Sequence, residues 1–284
     1  MPTINLAQSD SQLHLDLKPC ERETTKTFEI SIFQAVENDD SETVKRLLAN
    51  GVDVDAINVG SSSHVSRGRT ALGVASRKGH IDIVKLLIDE GADVNVNYLD
   101  GYTSLQDALS KRGNDEIVEL LVEKGANVNV QSDRYWSPLM LALWEHFSEH
   151  IIELLIAKGA DVNANAVRFP ILNIAAIWPS EKIAKLMLAK GADLNAAKQG
   201  NTTPLMHAAA SNKTDRVRLF LSSGANVNAW TRLKETTWTW TKSKEIPLHL
   251  TALDFAEKQQ HNEIIDLLRS WGGKTWEELK SGGK

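Results

Sequence analysis

A single cysteine, Cys20, is all that 284 residues contain. One thiol cannot close an intramolecular disulfide, so no disulfide framework holds this fold, and such usage fits a reducing compartment. A basic excess is lacking too: 32 Lys and Arg stand against 37 Asp and Glu, a formal net charge of −5. That balance argues against general nucleic-acid binding, which needs positive charge to release counterions. No stretch approaches the roughly 18 consecutive apolar residues of a membrane span. Residues 1–18 have neither a positive start nor an apolar run, so no secretory leader is expected there. The expectation is a cytoplasmic protein; leaderless delivery into a host cell would leave no trace in these features. A glycine-rich phosphate loop, a nucleophile elbow and a Cys-x-x-Cys pair are also missing. No catalytic residue, cofactor or metal is therefore expected.

What the chain does contain is repetition. Gly91-Ala-Asp-Val-Asn95 returns as Gly125-Ala-Asn-Val-Asn129, Gly159-Ala-Asp-Val-Asn163, Gly191-Ala-Asp-Leu-Asn195 and Gly224-Ala-Asn-Val-Asn228. Gly51-Val-Asp-Val-Asp55 precedes them in degenerate form, and Gly272-Gly273-Lys274 follows as a worn copy. Successive glycines in the middle lie 34, 34, 32 and 33 residues apart. A period in that range marks a stacked array rather than one globule with a central core.

One unit shows the grammar. Thr70 precedes the short apolar run Ala71 to Ala75, and Arg77-Lys78-Gly79-His80 interrupts it. Ile81, Val84, Leu87 and Ile88 then recur at helical spacing, as in an amphipathic second helix. Gly91 ends it, because glycine takes a left-handed conformation without steric cost. Asp93 and Asn95 shape the following turn. Thr203-Pro204 and Ser137-Pro138 open other copies with a capping hydroxyl and a proline at the first helical position. One helix pair cannot bury its apolar face alone, so stacking must supply the core.

These residues resemble the ankyrin repeat family, whose pattern is Thr-Pro-Leu-His at the first helix and Gly-Ala-Asp-Val-Asn at the hairpin. The resemblance implies an all-α solenoid, a right-handed stack of helix-turn-helix units with β-hairpin-like loops. About seven repeats are expected, near 28–59, 66–97, 98–131, 132–164, 165–197, 198–230 and 246–274, within a domain spanning 28–281. The first and last are degenerate caps, and Thr275-Trp276-Glu277-Glu278 reads as a capping box opening a final helix at 275–281. Residues 1–27 read as a disordered or loosely docked tail, in which Leu13, Leu15 and Leu17 alternate as a short strand would. The period stretches to 40 between Gly51 and Gly91 and to 48 between Gly224 and Gly272, placing insertions near 57–65 and 231–248. Insertions in such arrays fall in loops, often on the binding face.

By resemblance, partners bind the hairpin tips and the exposed side of the first helices, a concave face. The family register places Arg67, Arg69, Arg77 and Lys78 there in the second unit, and Tyr102 and Lys111 in the third. Arg134, Trp136 and Trp144 follow in the fourth, Phe169, Ile177 and Trp178 in the fifth. Trp230 comes after the sixth, with Trp238 and Trp240 in the long insert. Six of the eight tryptophans thus fall on one side, and tryptophan, tyrosine and arginine are the types enriched in interface hot spots. The face reads basic, then aromatic. The expected partner is a protein with an acidic patch beside an apolar one, held by a monomeric, non-enzymatic scaffold or inhibitor.

Two rivals are weighed beside it: a microbial effector or viral antagonist using the same surface on a host protein, and an enzyme or metal-binding protein. For the last, His146-Phe147-Ser148-Glu149-His150 matches the H-x-x-E-H zinc pattern, which needs both histidines on one helix. The segment reads instead as the turn between two helices. Asn95, Asn129 and Asn163 resemble hairpin asparagines that a 2-oxoglutarate oxygenase hydroxylates in some ankyrin proteins, but shaping the hairpin is role enough for them.

Overall fold

The computed structural model describes residues 31–59, 68–98, 101–131, 136–166, 169–195, 202–232 and 249–282. The N-terminal tail, Cys20 and most of both insertions lie outside the described residues.

Helices come in pairs. They are α1 (Ile32–Glu37) with α2 (Ser41–Ala49), α3 (Ala71–Lys78) with α4 (Ile81–Asp89), and α5 (Ser104–Leu109) with α6 (Asp115–Glu123). Next come α7 (Pro138–Trp144) with α8 (Glu149–Ala157), α9 (Ile171–Ile177) with α10 (Glu181–Ala189), and α11 (Pro204–Ala210) with α12 (Thr214–Ser222). The last pair is α13 (Ala252–Lys258) with α14 (Asn262–Ser270), followed by α15 (Trp276–Ser281). Two short antiparallel ladders accompany them: β1 (Asn165–Ala166) with β2 (Phe169–Pro170), and β3 (Trp230–Arg232) with β4 (His249–Thr251).

The helix starts follow local chemistry. Thr70, Ser137, Thr203, Thr251 and Thr275 each accept, through the side-chain hydroxyl, the amide three residues on, at 3.2 to 3.3 Å. Glu278 reaches back to the Thr275 amide and completes the expected capping box. At the other end, Gly91 takes φ +91°, and the Ala92 amide reaches back to the Leu87 carbonyl at 2.9 Å. No helix exceeds nine residues among those described, too short to persist alone in water.

Stability therefore comes from stacking. First helices form one row, α1-α3-α5-α7-α9-α11-α13, and second helices another, α2-α4-α6-α8-α10-α12-α14, with each neighbour in contact. First helices are enclosed on both flanks, so α5, for example, buries all six of its residues. Second helices bury one face, as in Ile151, Ile152, Leu155 and Ile156 of α8. Burial thins at the ends: α2 buries only Val44 and α15 nothing. Terminal units with polar outer faces are what an open-ended stack requires.

The recurring asparagine ties hairpin to hairpin. Asn129 donates its side-chain amide to the Gly159 carbonyl at 2.9 Å, while its Oδ1 accepts the Asp161 amide at 2.8 Å. Asn95 repeats this with Gly125 and Asn127, and Asn163 with Gly191 and Asp193. Asn228 does so across the long insertion, to the Gly272 carbonyl at 3.1 Å and the Lys274 amide at 2.8 Å. The worn glycine pair is thus a seventh hairpin in full register. At the first junction Asp55 accepts from Asp93 but carries no proton for a carbonyl. Burial raises its carboxyl above the ordinary value, and the nearby Asp93 and Asp53 charges push the same way.

Replacing Asn129 by alanine removes both bonds and is expected to lower stability by about 2 kcal/mol in urea unfolding. Asp55→Asn supplies the missing donor and is expected to raise stability by about 1 kcal/mol. A neutral result for both would mean that the clasp carries no net stability.

Candidate protein-binding face

What positions the face is a second set of pins, between first helices. The third helical residue varies from repeat to repeat, and so does its use. Gln106 donates to the Trp136 carbonyl at 2.7 Å while accepting the Thr103 amide. Asn173 donates to the Thr202 carbonyl at 2.8 Å. Met206 leaves the Thr203 amide only a thioether at 3.4 Å. Asp254 accepts from Thr251 and from the Trp276 amide. The far ends of the first helices are pinned from the next repeat: Asn114 donates to the Ser76 carbonyl, and Arg216 to that of Trp178 at 2.6 Å. These bonds fix where each exposed side chain sits.

In the basic units the structure departs from expectation. Arg69 and Arg77 do not stand free towards a partner. Both turn onto Asp107 of the next repeat, Nε of Arg69 at 2.8 Å and Nη1 of Arg77 at 3.2 Å, and the Asp107 side chain is fully buried. Burial pushes the Asp107 carboxyl up to about 6 against the pull of the two guanidinium groups. Beside it the third helical slot of α3 holds Gly73, where a Cβ would meet the Tyr98 hydroxyl at 1.9 Å. Tyr98 fills that gap, with its hydroxyl 2.9 Å from Ser104 Oγ. Lys78 has no ion pair among the described residues, and Lys111 donates to the Lys78 carbonyl. Tyr102 is half-buried, and its carbonyl accepts the Tyr98 amide. The positive charge expected here is thus partly spent inside the stack.

The aromatic units are better exposed. Trp144 ends α7 and is 55% accessible; Trp136, half-buried, meets it edge to face with centroids 5.5 Å apart. Ile177 occupies the equivalent last helical position of α9 and is also exposed. Trp178, expected on the surface, is only 5% accessible. It follows the end of α9, where ψ swings to 148°, and its ring lies under His146, stacked at 4.7 Å and 19°. Trp178 supports this shelf rather than offering its own ring. His146 reaches that place from a left-handed turn at φ +57°, before α8 begins, whereas His150 lies inside α8 facing Glu119. The two histidines of the H-x-x-E-H pattern therefore do not share a helix.

A second aromatic group forms at the base of the long insertion. Trp230 in β3 is 52% accessible, 4.9 Å from Trp276 and 5.2 Å from His249 in β4. Sequence spacing had put Trp276 on the C-terminal cap, apart from the face; folding brings it to Trp230. Trp271 lies elsewhere, at the end of α14. Arg67, Arg134, Trp238 and Trp240 lie outside the described residues, and Phe169 enters through its backbone in β2. His207, one place later than the family's histidine, sits 2.6 Å from Thr202 Oγ1, and burial lowers its pKa to about 4.

Two rows of short helices, joined by clasped hairpins at a near-constant period, define a repeat solenoid. Family models agree: "Ankyrin repeats (3 copies)" matches residues 32–132 and 172–276, and "Ankyrin repeat" matches 134–166, well over half the chain. The chain belongs to the ankyrin repeat family. It is 49% identical over 45 residues to protein phosphatase 1 regulatory subunit 12A of Mus musculus, covering 16% of this chain and 4% of that protein. It is 32% identical over 85 residues to the inactive serine/threonine-protein kinase TEX14 of Mus musculus, covering 30% of this chain and 5% of that one. The matched stretches thus span only a small part of those relatives. The repeats make this chain a protein-binding scaffold, and no described helix is long and apolar enough to cross a membrane.

Two buried groups give opposite pH signatures. His207 binds fewer protons folded than unfolded, so its contribution is lost as pH falls from 6.5 towards about 4, by about 3 kcal/mol in all. His207→Gln is expected to abolish that loss in unfolding curves between pH 7 and 5. Asp107, with its raised pKa, favours the fold more as pH falls from about 6 towards 3.8. Wild type should therefore gain stability relative to Asp107→Asn on acidification from about pH 7 to 4; a relative loss would show that the two arginines outweigh burial.

Proposed function

We propose that this protein is a non-enzymatic scaffold or inhibitor that holds one protein partner on the first-helix row and hairpin tips. The observation that supports it most is the shelf across the fourth and fifth repeats. Trp144 and Ile177 stand exposed at matching helix ends, with Trp136 and His146 beside them and Trp178 packed beneath His146. Exposed indoles cost little ordering entropy on binding, and central tryptophans are frequent hot spots. Lys78, Lys111 and Arg112 continue the face in the second and third repeats. The partner is accordingly one with an apolar patch flanked by a modest acidic one. The matched relative named as a phosphatase regulatory subunit favours a binding role over catalysis.

Because Trp144 is exposed and Trp178 is buried, the two separate binding from folding. Trp144→Ala should leave the unfolding midpoint unchanged and weaken partner binding by about 2 kcal/mol, read by titration calorimetry with the partner recovered by affinity purification. Trp178→Ala should instead lower stability by about 3 kcal/mol. Affinity unchanged within error for Trp136→Ala and Trp144→Ala together would remove the shelf as the binding surface.

A further inference from the structure

Side-chain ion pairs bridge one repeat to the next along the row of second helices. Lys85 of α4 reaches Glu116 of α6 at 2.8 Å, and His150 of α8 faces Glu119 of α6 at 3.2 Å. Lys182 of α10 pairs with Glu153 of α8, and Arg218 of α12 with Glu263 of α14 at 3.2 Å. Between α10 and α12, as between α2 and α4, the described residues hold no such bridge. Lys185 turns back to Glu181 on its own helix at 2.9 Å, and Arg218 is taken up by α14. Asp215, exposed in the first turn of α12, has no ion pair among the described residues.

A groove of about 460 Å³ runs across α10, α12 and α14, and its lining holds Leu219, Leu267 and Trp271 beside Asp215 and the paired Glu181, Lys185 and Arg218. The two leucines are half-buried, and Trp271 is 51% accessible. Lys185 pairs with Glu181 and Arg218 with Glu263, so Asp215 is the charge of the lining without an ion pair among the described residues. The groove combines aliphatic surface, one large exposed ring and one exposed carboxylate.

We propose that this groove is a second docking site, on the helix row opposite the proposed shelf, and that it receives an amphipathic helix of another protein. The occupant presents leucine-like side chains at i, i+3, i+4 and i+7 to Leu219, Leu267 and Trp271, and a lysine or arginine to Asp215. A helix suits such a groove because its side-chain ridges can pack between those of the helices that line it. The sign of the charge follows from Asp215, since opposite charges across an interface set register and partner choice. The site does not rest on the shelf: a chain that fails to bind through Trp144 can still bind here, and the reverse.

The test uses the whole chain, with indole nitrogens labelled and the Trp271 signal assigned from Trp271→Phe. Two synthetic helical peptides of about 16 residues are titrated in turn, one with leucines at the stated spacing flanked by lysines, the other with glutamates for the lysines. The lysine peptide should shift the Trp271 indole signal and leave that of Trp144 in place. Asp215→Lys should weaken the lysine peptide about tenfold and favour the glutamate peptide. Trp271→Ala, at an exposed helix end, should abolish binding of the lysine peptide even if the charge reversal disturbs α12. Equal response to both peptides, no response at Trp271, or an unchanged affinity in Asp215→Lys would overturn the proposal. A dimer in sedimentation that dissociates in Asp215→Lys would assign the groove to a second copy of this chain and overturn it as well.

Discussion

One side-chain amide per repeat holds the hairpins in line. An asparagine can donate and accept at once, so a single residue fixes both the distance and the orientation of the next hairpin. Asn95, Asn129, Asn163 and Asn228 all use both ends. Aspartate in the same place can only accept, and Asp55 makes the first junction with half the bonding. The clasp also acts independently of chain length. Asn228 meets Gly272 across 44 residues in the same way that Asn129 meets Gly159 across 30. Insertions can then enter the loops without shifting the register of the rows, and the binding face is free to vary where the scaffold is not.

With register fixed, the junctions differ through their third helical residue. Gln106 and Asn173 lash the next first helix by its backbone, Asp254 fastens the terminal helix, and Gly73 leaves room for a tyrosine from the hairpin. Each choice decides which neighbouring side chains face solvent. Where Gln106 holds the Trp136 backbone, the indole is left to pack against Trp144 and form the shelf. Where Gly73 admits Tyr98, buried Asp107 lies close by and draws two arginines inward.

Much of the architecture was legible because it depends on local rules. Capping hydroxyls, prolines at first helical positions and glycines at left-handed stops each act over three or four residues, and the period itself announced the stack. Exposure at the candidate site was less legible because it depends on contacts more than 30 residues away. Arg69 and Asp107 are 38 positions apart and meet only in the folded stack. The family register puts Trp144 and Trp178 alike on the face, yet counting from the N-caps Ser137 and Pro170 sets Trp178 one place later. That single residue carries it past the end of α9 and under His146, while Ile177 takes the exposed position. Gly73 within a first helix was a readable sign of an intruding side chain; Trp276 beside Trp230 left none.

The account stands on the clasp, and native-state hydrogen exchange reads it directly. The amides of Asn127, Asp161, Asp193, Asn226 and Lys274 sit in exposed hairpins, and each donates to the asparagine of the preceding repeat. They should exchange only when a junction opens, with protection approaching that of the buried helices on either side. Exchange at the rate of unprotected loop amides would contradict the claim that these asparagines hold the array in register.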